Sequence, residues 1–407
     1  MELISYIPEL IGNLFIFIFG AICILILRRK FFCSKSRSLI LYLWHTFFCL
    51  LYCWYVQSYG GDAIEYYSQA RTGGTSFAAG TNAVIFITSF IINFFSASFI
   101  GTSLFYNILG SIGLIAFDAS LKIASQNKSR RIKILTNVLI FLPSISFWSS
   151  SIGKDSFAFM SACLLLWSIL NIKQRIKLLI FAISTMFLVR PHIAGLIMIS
   201  LMISVLFSKN VSNKFKIVLS LFIIGSSILL IPFIIQYVGI IGTPSPSDLS
   251  EFMENRATSN MGGGSSIDIS SMSLPQQLFS YMFRPSIFDV HSVISIAAAF
   301  DNFIMIYLFV IGIVGVVKHF FKDWHKNISY LFSLTYSILC WLILATTTAN
   351  MGIAVRQKWM IAPFLIFLLV STLDYKRPQR LSANGQNVLA RKPRRSIFLN
   401  FPRPPFQ

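Results

Sequence analysis

The residues best suited to chemistry are Asp62 and Glu65, which follow the glycine pair Gly60-Gly61 after the second apolar segment. Glycines let the backbone bend closely around a ligand. Asp62 and Glu65 are three residues apart, so both carboxylates face the same way on a helical turn. Such carboxylates accept a proton from a sugar hydroxyl or hold a divalent metal against a phosphate, and both are predicted to be catalytic. The alternative is a solvated acid near a helix N-terminus.

A basic turn, Arg190-Pro191-His192, interrupts an apolar stretch of about thirty residues. An arginine at membrane depth must face the protein interior or a water-filled cavity. Its guanidinium is suited to gripping phosphate oxygens through two parallel hydrogen bonds. The sequence therefore predicts that Arg190 and His192 bind phosphate. The alternative is an arginine that caps helix carbonyls or pairs with Asp155.

Lys154, Arg284 and Arg356 complete the predicted phosphate site, and each follows a different apolar segment. Lys154 is costly at membrane depth unless it is paired or bound to a ligand; otherwise its segment is a tight hairpin turn anchored by Trp148. One carboxylate among several cations at the lipid boundary fits an anionic, lipid-tethered phosphate substrate. No residues have zinc-ligand spacing, so no metal site is predicted. The cofactor is left open, with a divalent cation as one option.

The composition indicates which elements must position these residues. Of the 407 residues, 55% are hydrophobic and 12% are charged, and the mean hydropathy is +0.72. A soluble protein of this length needs more charge at its surface, so lipid must be much of the solvent. The net charge of +20 does not indicate nucleic-acid binding, because the cations lie at the ends of apolar segments.

Apolar segments of about 20 residues predict an all-α bundle with about eleven transmembrane spans. Basic clusters give the direction, because cytoplasmic loops are enriched in Lys and Arg. If every cluster is cytoplasmic, the N-terminus is outside, the C-terminus is cytoplasmic and the candidate site is outside. The predicted spans lie at 7–27, 39–57 and 83–118, two in 134–171, two in 178–207, one at 217–237, one from about 293, and two in 328–373.

Several boundaries are specific predictions. The paired spans divide at 153–155, at 190–192 and at 356–358. The segment 83–118 is either one span with an interfacial or re-entrant helix, or two spans, and the parity of crossings favours the first. Asp301 falls inside an apolar segment and is either paired with a cation or close to the surface.

Residues 1–375 form the predicted membrane domain, with outer loops at about 58–82 and 238–290. The long outer loop is either a mobile cover over the substrate or disordered. Residues 376–407 are basic, rich in proline and polar residues, and predict a disordered cytoplasmic tail.

The Gly-Gly-Asp loop, the Pro-x-x-x-x-Trp-Ser-Ser…Lys-Asp hairpin, the Arg-Pro-His turn and the outer Arg-Pro and Arg-Gln-Lys motifs together resemble bacterial membrane proteins of polysaccharide assembly. These are GT-C-type glycosyltransferases and O-antigen or capsule repeat-unit polymerases. The resemblance covers most of residues 1–373 and implies a polyprenyl-phosphate- or diphosphate-linked sugar as substrate. It also implies that Asp62, in an early outer loop, is catalytic.

The leading hypothesis is therefore a glycosyltransferase or repeat-unit polymerase of the bacterial cytoplasmic membrane. Its expected partners are membrane lipid, a polyprenyl-linked glycan and polysaccharide-assembly proteins. A lipid-linked oligosaccharide flippase or another transporter is the alternative, and it predicts charges distributed through the membrane midplane. A non-catalytic assembly or sensor protein is a third class, which predicts that substitutions at Asp62 and Arg190 are tolerated.

Overall fold

The predicted all-α class is confirmed for the part of the chain that the computed structural model describes. That part comprises residues 7–73, 76–209, 271–290, 292–323 and 327–373, with some of 212–228, and it contains helices and turns without a β-strand. All of these residues belong to one compact unit, Met1–Asp374. The predicted tail, the start of the long outer loop and most of the predicted span at 217–237 lie outside the described residues.

Long apolar helices dominate the described chain. They are α1 (Ile7–Leu27), α2 (Lys35–Tyr59), α5 (Phe99–Ser125), α12 (Val293–Asp323) and α13 (Ile328–Thr347). Together with the segment Arg130–Ser149, they give six helical segments long and apolar enough to cross a membrane. A seventh candidate is the pair Met351–Met360 and Ala362–Thr372, whose helices are bent by 59° at the break.

The segment Arg130–Ser149 and the bent pair each consist of two helices. They are α6 (Arg130–Ile140) with α7 (Pro143–Ser149), and α14 (Met351–Gln357) with α15 (Ala362–Thr372). Pro143 and Pro363 lie in the first turns of α7 and α15, where a missing backbone N–H costs nothing. Breaks of this kind leave side chains and backbone polar groups available inside the bundle.

Shorter helices fill the spaces between the long ones. They are α3 (Asp62–Arg71), α4 (Thr81–Phe95), α8 (Lys154–Ile169), α9 (Ile172–Val189), α10 (Pro191–Phe207) and α11 (Leu274–Phe283). From Ser156 to its end, every residue of α8 is buried. A helix that is apolar all round belongs in the middle of a bundle, and α8 accordingly packs against α5 and α9.

Helix boundaries fall at all three of the predicted divisions. A break at Gly153 precedes α8, and Arg190 separates α9 from α10. At the third, α14 ends at Gln357, and the chain bends by 59° before α15. A further break lies between α13 and α14, where the Asn350 side chain accepts a hydrogen bond from the Ile353 N–H at 3.2 Å and starts α14.

The segment 83–118 contains two helices, α4 and α5, separated by Ser96 in the left-handed region at φ 49°. Only α5 is among the candidate spans of the described residues, and α4 is a shorter apolar helix that packs on α3. This arrangement is compatible with the prediction of one span and one short helix.

The two ends of α5 differ in chemistry. Near its start, Ser103 Oγ accepts a hydrogen bond from Ser151 at 3.0 Å. Near its end, Asp118 pairs with Arg37 at 2.8 Å and with Lys122 at 2.6 Å. A helix rises about 1.5 Å per residue, so Ser103 and Asp118 are roughly 22 Å apart along the axis. Arg37 and Lys122, which belong to two different groups of basic residues between apolar segments, therefore lie at the end of α5 remote from Ser151.

Candidate functional site

A cavity of about 160 Å³ opens beside Ser151. Its walls come from the end of α2, the start of α3, the α7–α8 and α9–α10 junctions, the end of α13, and α14. The charged and aromatic residues that line it are Tyr52, Asp62, Tyr66, Trp148, Lys154, Asp155, Arg190, His192 and Arg356. Segments far apart in sequence thus contribute polar groups to one concave site.

Asp62 is the first residue of α3, and two glycines place it there. Gly60 and Gly61 have φ angles of 80° and 155°, a region that other residues rarely adopt. The turn brings the Asp62 carboxylate to Arg356 on α14, which donates a hydrogen bond from Nη1 to Oδ2 at 2.9 Å. The glycine pair therefore directs the acid to a basic partner.

Lys154 and Asp155 open α8 after Gly153, whose φ is 159°. Lys154 Nζ donates a hydrogen bond to Thr81 Oγ1 at 2.7 Å, which links the start of α8 to the start of α4. An acid in the first turn is favoured by the helix dipole, so Asp155 fits this position.

Arg190 reaches the same acid from the α9–α10 junction. Its Nη2 donates a hydrogen bond to Asp155 Oδ1 at 2.6 Å, and both side chains are largely buried. The pairing of Arg190 with Asp155, the alternative considered from sequence, is confirmed. Arg190 nevertheless lines the cavity, and its buried Nε has no hydrogen-bond partner among the described residues.

Arg356 connects the two acids of the cavity. Besides Asp62, it approaches Asp155, with Nε 3.9 Å from Oδ2. Its guanidinium also lies 5.7 Å from the centre of the Trp148 ring, within the range of a cation–π contact. Asp62, Arg356, Asp155 and Arg190 form a continuous chain of ion pairs, which we call the cavity network.

The aromatic residues add apolar faces with polar tips. Tyr52 contacts Trp148 with ring centres 5.9 Å apart. Burial raises the pKa of Tyr66 to about 12, and the carboxylates of Asp62 and Asp155 act in the same direction. The Tyr66 hydroxyl therefore keeps its proton at physiological pH and can donate a hydrogen bond to a ligand.

The structure brings most of the predicted site residues together. Asp62, Lys154, Arg190, His192 and Arg356 all line the cavity. Glu65 does not line it; one turn along α3, its Oε1 accepts a hydrogen bond from Gln69 at 3.0 Å. The catalytic role predicted for Glu65 remains a prediction, and the geometry places Asp62 at the cavity instead.

Arg284 also lies outside the residues that line the cavity. Its Nε donates a hydrogen bond to Asp289 Oδ2 at 3.0 Å, and Asp289 accepts two more from the backbone and hydroxyl of Ser286. These contacts hold the pKa of Asp289 well below its usual value. Arg284 is thus engaged in a local turn, because its acid partner is five residues away in sequence, and its phosphate-binding role stays a prediction.

Sequence reasoning missed two parts of the site. Asp155 was expected to be paired or bound to a ligand but was not among the predicted site residues, whereas it lines the cavity, pairs with Arg190 and lies 3.9 Å from Arg356. Tyr52 and Tyr66 were not singled out, because aromatic residues are frequent throughout this chain and give no local signal.

No three His, Cys, Asp or Glu side chains gather as metal ligands within the described residues. Asp62 and Asp155 are the carboxylates that line the cavity, and Arg356 lies between them. The donor set that the described chain presents is therefore suited to an anion bound by guanidinium and ammonium groups.

Comparison of the chain with protein families, with curated proteins and with solved structures finds no match.

Proposed function

We propose that this protein is a membrane glycosyltransferase or repeat-unit polymerase that uses polyprenyl-phosphate- or diphosphate-linked sugars in the synthesis of cell-surface polysaccharide. The observation that carries the proposal is the convergence of Lys154, Arg190 and Arg356 with Asp62 and Asp155 in one cavity. The cations exceed the carboxylates by one, which favours an anionic ligand.

The reaction needs a base and a stabilised leaving group. In the proposed step, Asp62 takes the proton of an acceptor sugar hydroxyl while the hydroxyl oxygen forms a bond to the anomeric carbon of the donor. The bond from that carbon to the phosphate oxygen breaks, and its electron pair leaves with the polyprenyl phosphate. Arg356, Arg190 and Lys154 stabilise the negative charge that develops on this phosphate. Glu65 has no part in the step.

The aromatic groups suit the sugar. Trp148, Tyr52 and Tyr66 line the same cavity as the charged groups. Aromatic rings offer apolar faces, and the tyrosine hydroxyl and tryptophan N–H are polar tips that can contact sugar hydroxyls. The buried Trp148 Nε1 has no hydrogen-bond partner within the described residues, and Trp148 is part of the cavity lining.

We infer a topology of eleven spans with the cavity on the outer face of the bacterial cytoplasmic membrane. Seven of these spans are the candidates described above. We count α8, α9 and α10, which are 16, 18 and 17 residues long, as three more. The apolar sequence at 217–237, largely outside the described residues, is the eleventh. The orientation is supported by Arg37 and Lys122, which lie toward the end of α5 remote from the cavity.

The test is the surface-glycan profile of a strain that lacks this gene and is complemented with wild type, Asp62→Asn or Glu65→Gln. The Asn variant is expected to insert normally and to leave the glycan either shortened to single repeats or lacking one sugar. The first pattern identifies a polymerase and the second a transferase. The Gln variant removes the same charge one turn away and is expected to restore the profile. Full restoration by Asp62→Asn would contradict the catalytic assignment and favour transport.

A further inference from the structure

The two acids that Arg356 contacts in the cavity network differ in their exposure to solvent. The side chain of Asp62 is 50% exposed where it meets Arg356, whereas that of Asp155 is only 18% exposed. Exposed ion pairs contribute little stability, because water and salt screen them. The contact between Arg356 and Asp62 is the shorter of the two, at 2.9 Å against 3.9 Å for Arg356 and Asp155, but it is the one that is open to solvent and therefore to exchange with a ligand.

The size of the cavity gives an independent reason for this contact to open. Ligand pockets for small molecules usually measure roughly 300 Å³ or more. The cavity measures about 160 Å³, and Asp62 and Arg356 both line it. A sugar-phosphate headgroup needs more room than this, and separation of these two side chains enlarges the space between α3 and α14.

We propose that Asp62 takes the place of a phosphate oxygen on Arg356, and that a lipid-linked phosphate displaces it during binding. This inference rests on the proposed function and adds its regulation. Asp155 stays paired with Arg190 at 2.6 Å and lies 3.9 Å from Arg356, so one carboxylate remains beside both arginines when the ligand arrives. The Asp62 carboxylate leaves its cation and becomes the base only once the donor phosphate is bound.

Arg356 binds a phosphate more strongly than it binds the carboxylate of Asp62. A phosphate offers more oxygens and more charge than a carboxylate, and guanidinium binds it through two parallel hydrogen bonds. Departure of Arg356 also frees Asp62 Oδ2, which accepts the arginine's hydrogen bond, to accept one from the hydroxyl of the acceptor sugar. Coupling these two events keeps the base paired until the donor is in place.

Competition between Asp62 and phosphate predicts the direction in which phosphate affinity changes when Asp62 is replaced. If Asp62 competes with phosphate for Arg356, then Asp62→Asn strengthens phosphate binding while it abolishes turnover. A carboxylate that merely shapes the site affects affinity only through its charge, the effect that Glu65→Gln reports, and its removal gives binding no tighter than in that variant. Asp62 is half exposed at the start of α3, so the substitution leaves the interior packing intact.

The experiment measures binding of farnesyl phosphate and of inorganic phosphate to the full-length protein in nanodiscs by titration calorimetry. Wild type, Asp62→Asn and Glu65→Gln are compared. Asp62→Asn is expected to bind farnesyl phosphate about two- to fivefold more tightly than wild type, the range expected for loss of a competing exposed ion pair. Glu65→Gln, with the same change of charge outside the cavity lining, is expected to match wild type.

Each outcome has one meaning. Unchanged or weaker binding by Asp62→Asn overturns the exchange, while binding by wild type still supports the proposed phosphate site. If wild type binds neither anion, the proposed function and the exchange both fail. If inorganic phosphate binds as tightly as farnesyl phosphate, the lipid-linked ligand is overturned in favour of a free anion. Tighter binding of farnesyl phosphate to the Asn variant supports the exchange.

Discussion

Asp155 is the residue through which both arginines of the cavity are held. It accepts a hydrogen bond from Arg190 at 2.6 Å and lies 3.9 Å from Arg356. A carboxylate that stays ionised away from bulk water needs such partners, because desolvation of a lone charge is costly. The same pairing fixes the guanidinium groups in the wall of the cavity before a ligand binds, which lowers the cost of ordering them later.

Replacement of Arg190 tests how much the ion pair between Arg190 and Asp155 contributes to stability. Arg190→Met is expected to lower the free energy of unfolding by on the order of 2 kcal/mol, because Asp155 loses its closest cation while retaining some solvent contact. Thermal denaturation of the purified protein in detergent measures the effect. The double variant Arg190→Met with Asp155→Asn is expected to regain part of the loss. A double variant less stable than Arg190→Met alone would contradict this account.

At the scale of elements, the α7–α8 junction is positioned by a buried polar contact beneath the cavity. His45 on α2 lies between Asn107 of α5, at 2.6 Å, and Ser149 at the end of α7, at 3.0 Å. Gly110 of α5 lies against His45 and the Ser149 carbonyl, and a Cβ at this position would collide with both. The absence of a side chain thus permits the close approach of three helices.

Gly110→Ala tests this packing. The added methyl group is expected to push α5 away from α7 and to lower the free energy of unfolding by about 1–3 kcal/mol, the usual cost of overpacking a core. Gly12→Ala is the matched control, because a Cβ at Gly12 of α1 meets no atom within 4 Å. Melting temperatures of the two variants measure the difference. Equal melting temperatures for wild type and Gly110→Ala would show that this crossing is looser than the structure describes.

At the scale of the whole molecule, the proposed topology has the cavity and most of the basic residues on opposite faces of the membrane. Helix α2 connects these faces, with Arg37 near its start and Tyr52 near its end. Its 25 residues extend about 37 Å, which exceeds the roughly 30 Å of a hydrocarbon core. One helix can therefore report the orientation of the bundle.

Cysteine labelling at the two ends of α2 tests this orientation. In a background without the six native cysteines, Ser58→Cys is expected to react with a membrane-impermeant maleimide in intact cells. Ser36→Cys is expected to react only after the membrane is permeabilised. Both serines are exposed, so burial does not limit the reaction. Labelling of Ser36→Cys in intact cells, with Ser58→Cys protected, would reverse the orientation.

The sequence by itself determined the all-α class and the position of many charged residues between apolar segments. These properties are local: a run of apolar residues forms a helix in lipid, and its charged ends are costly to bury. For the same reason, the divisions near Gly153 and Arg190 were predicted correctly. The further break before α14 was not predicted, because Asn350 caps the helix through its own side chain and gives only a weak signal.

The tertiary structure decided which charged residues meet. Arg284 and Arg356 look equivalent in sequence, yet Arg284 pairs with Asp289 a few residues away and Arg356 reaches Asp62 on a distant helix. Asp155 acquired its importance only through Arg190 and Arg356, which arrive from other helices. The direction and distance of a side chain depend on how helices pack, and a spacing along the chain does not contain that information.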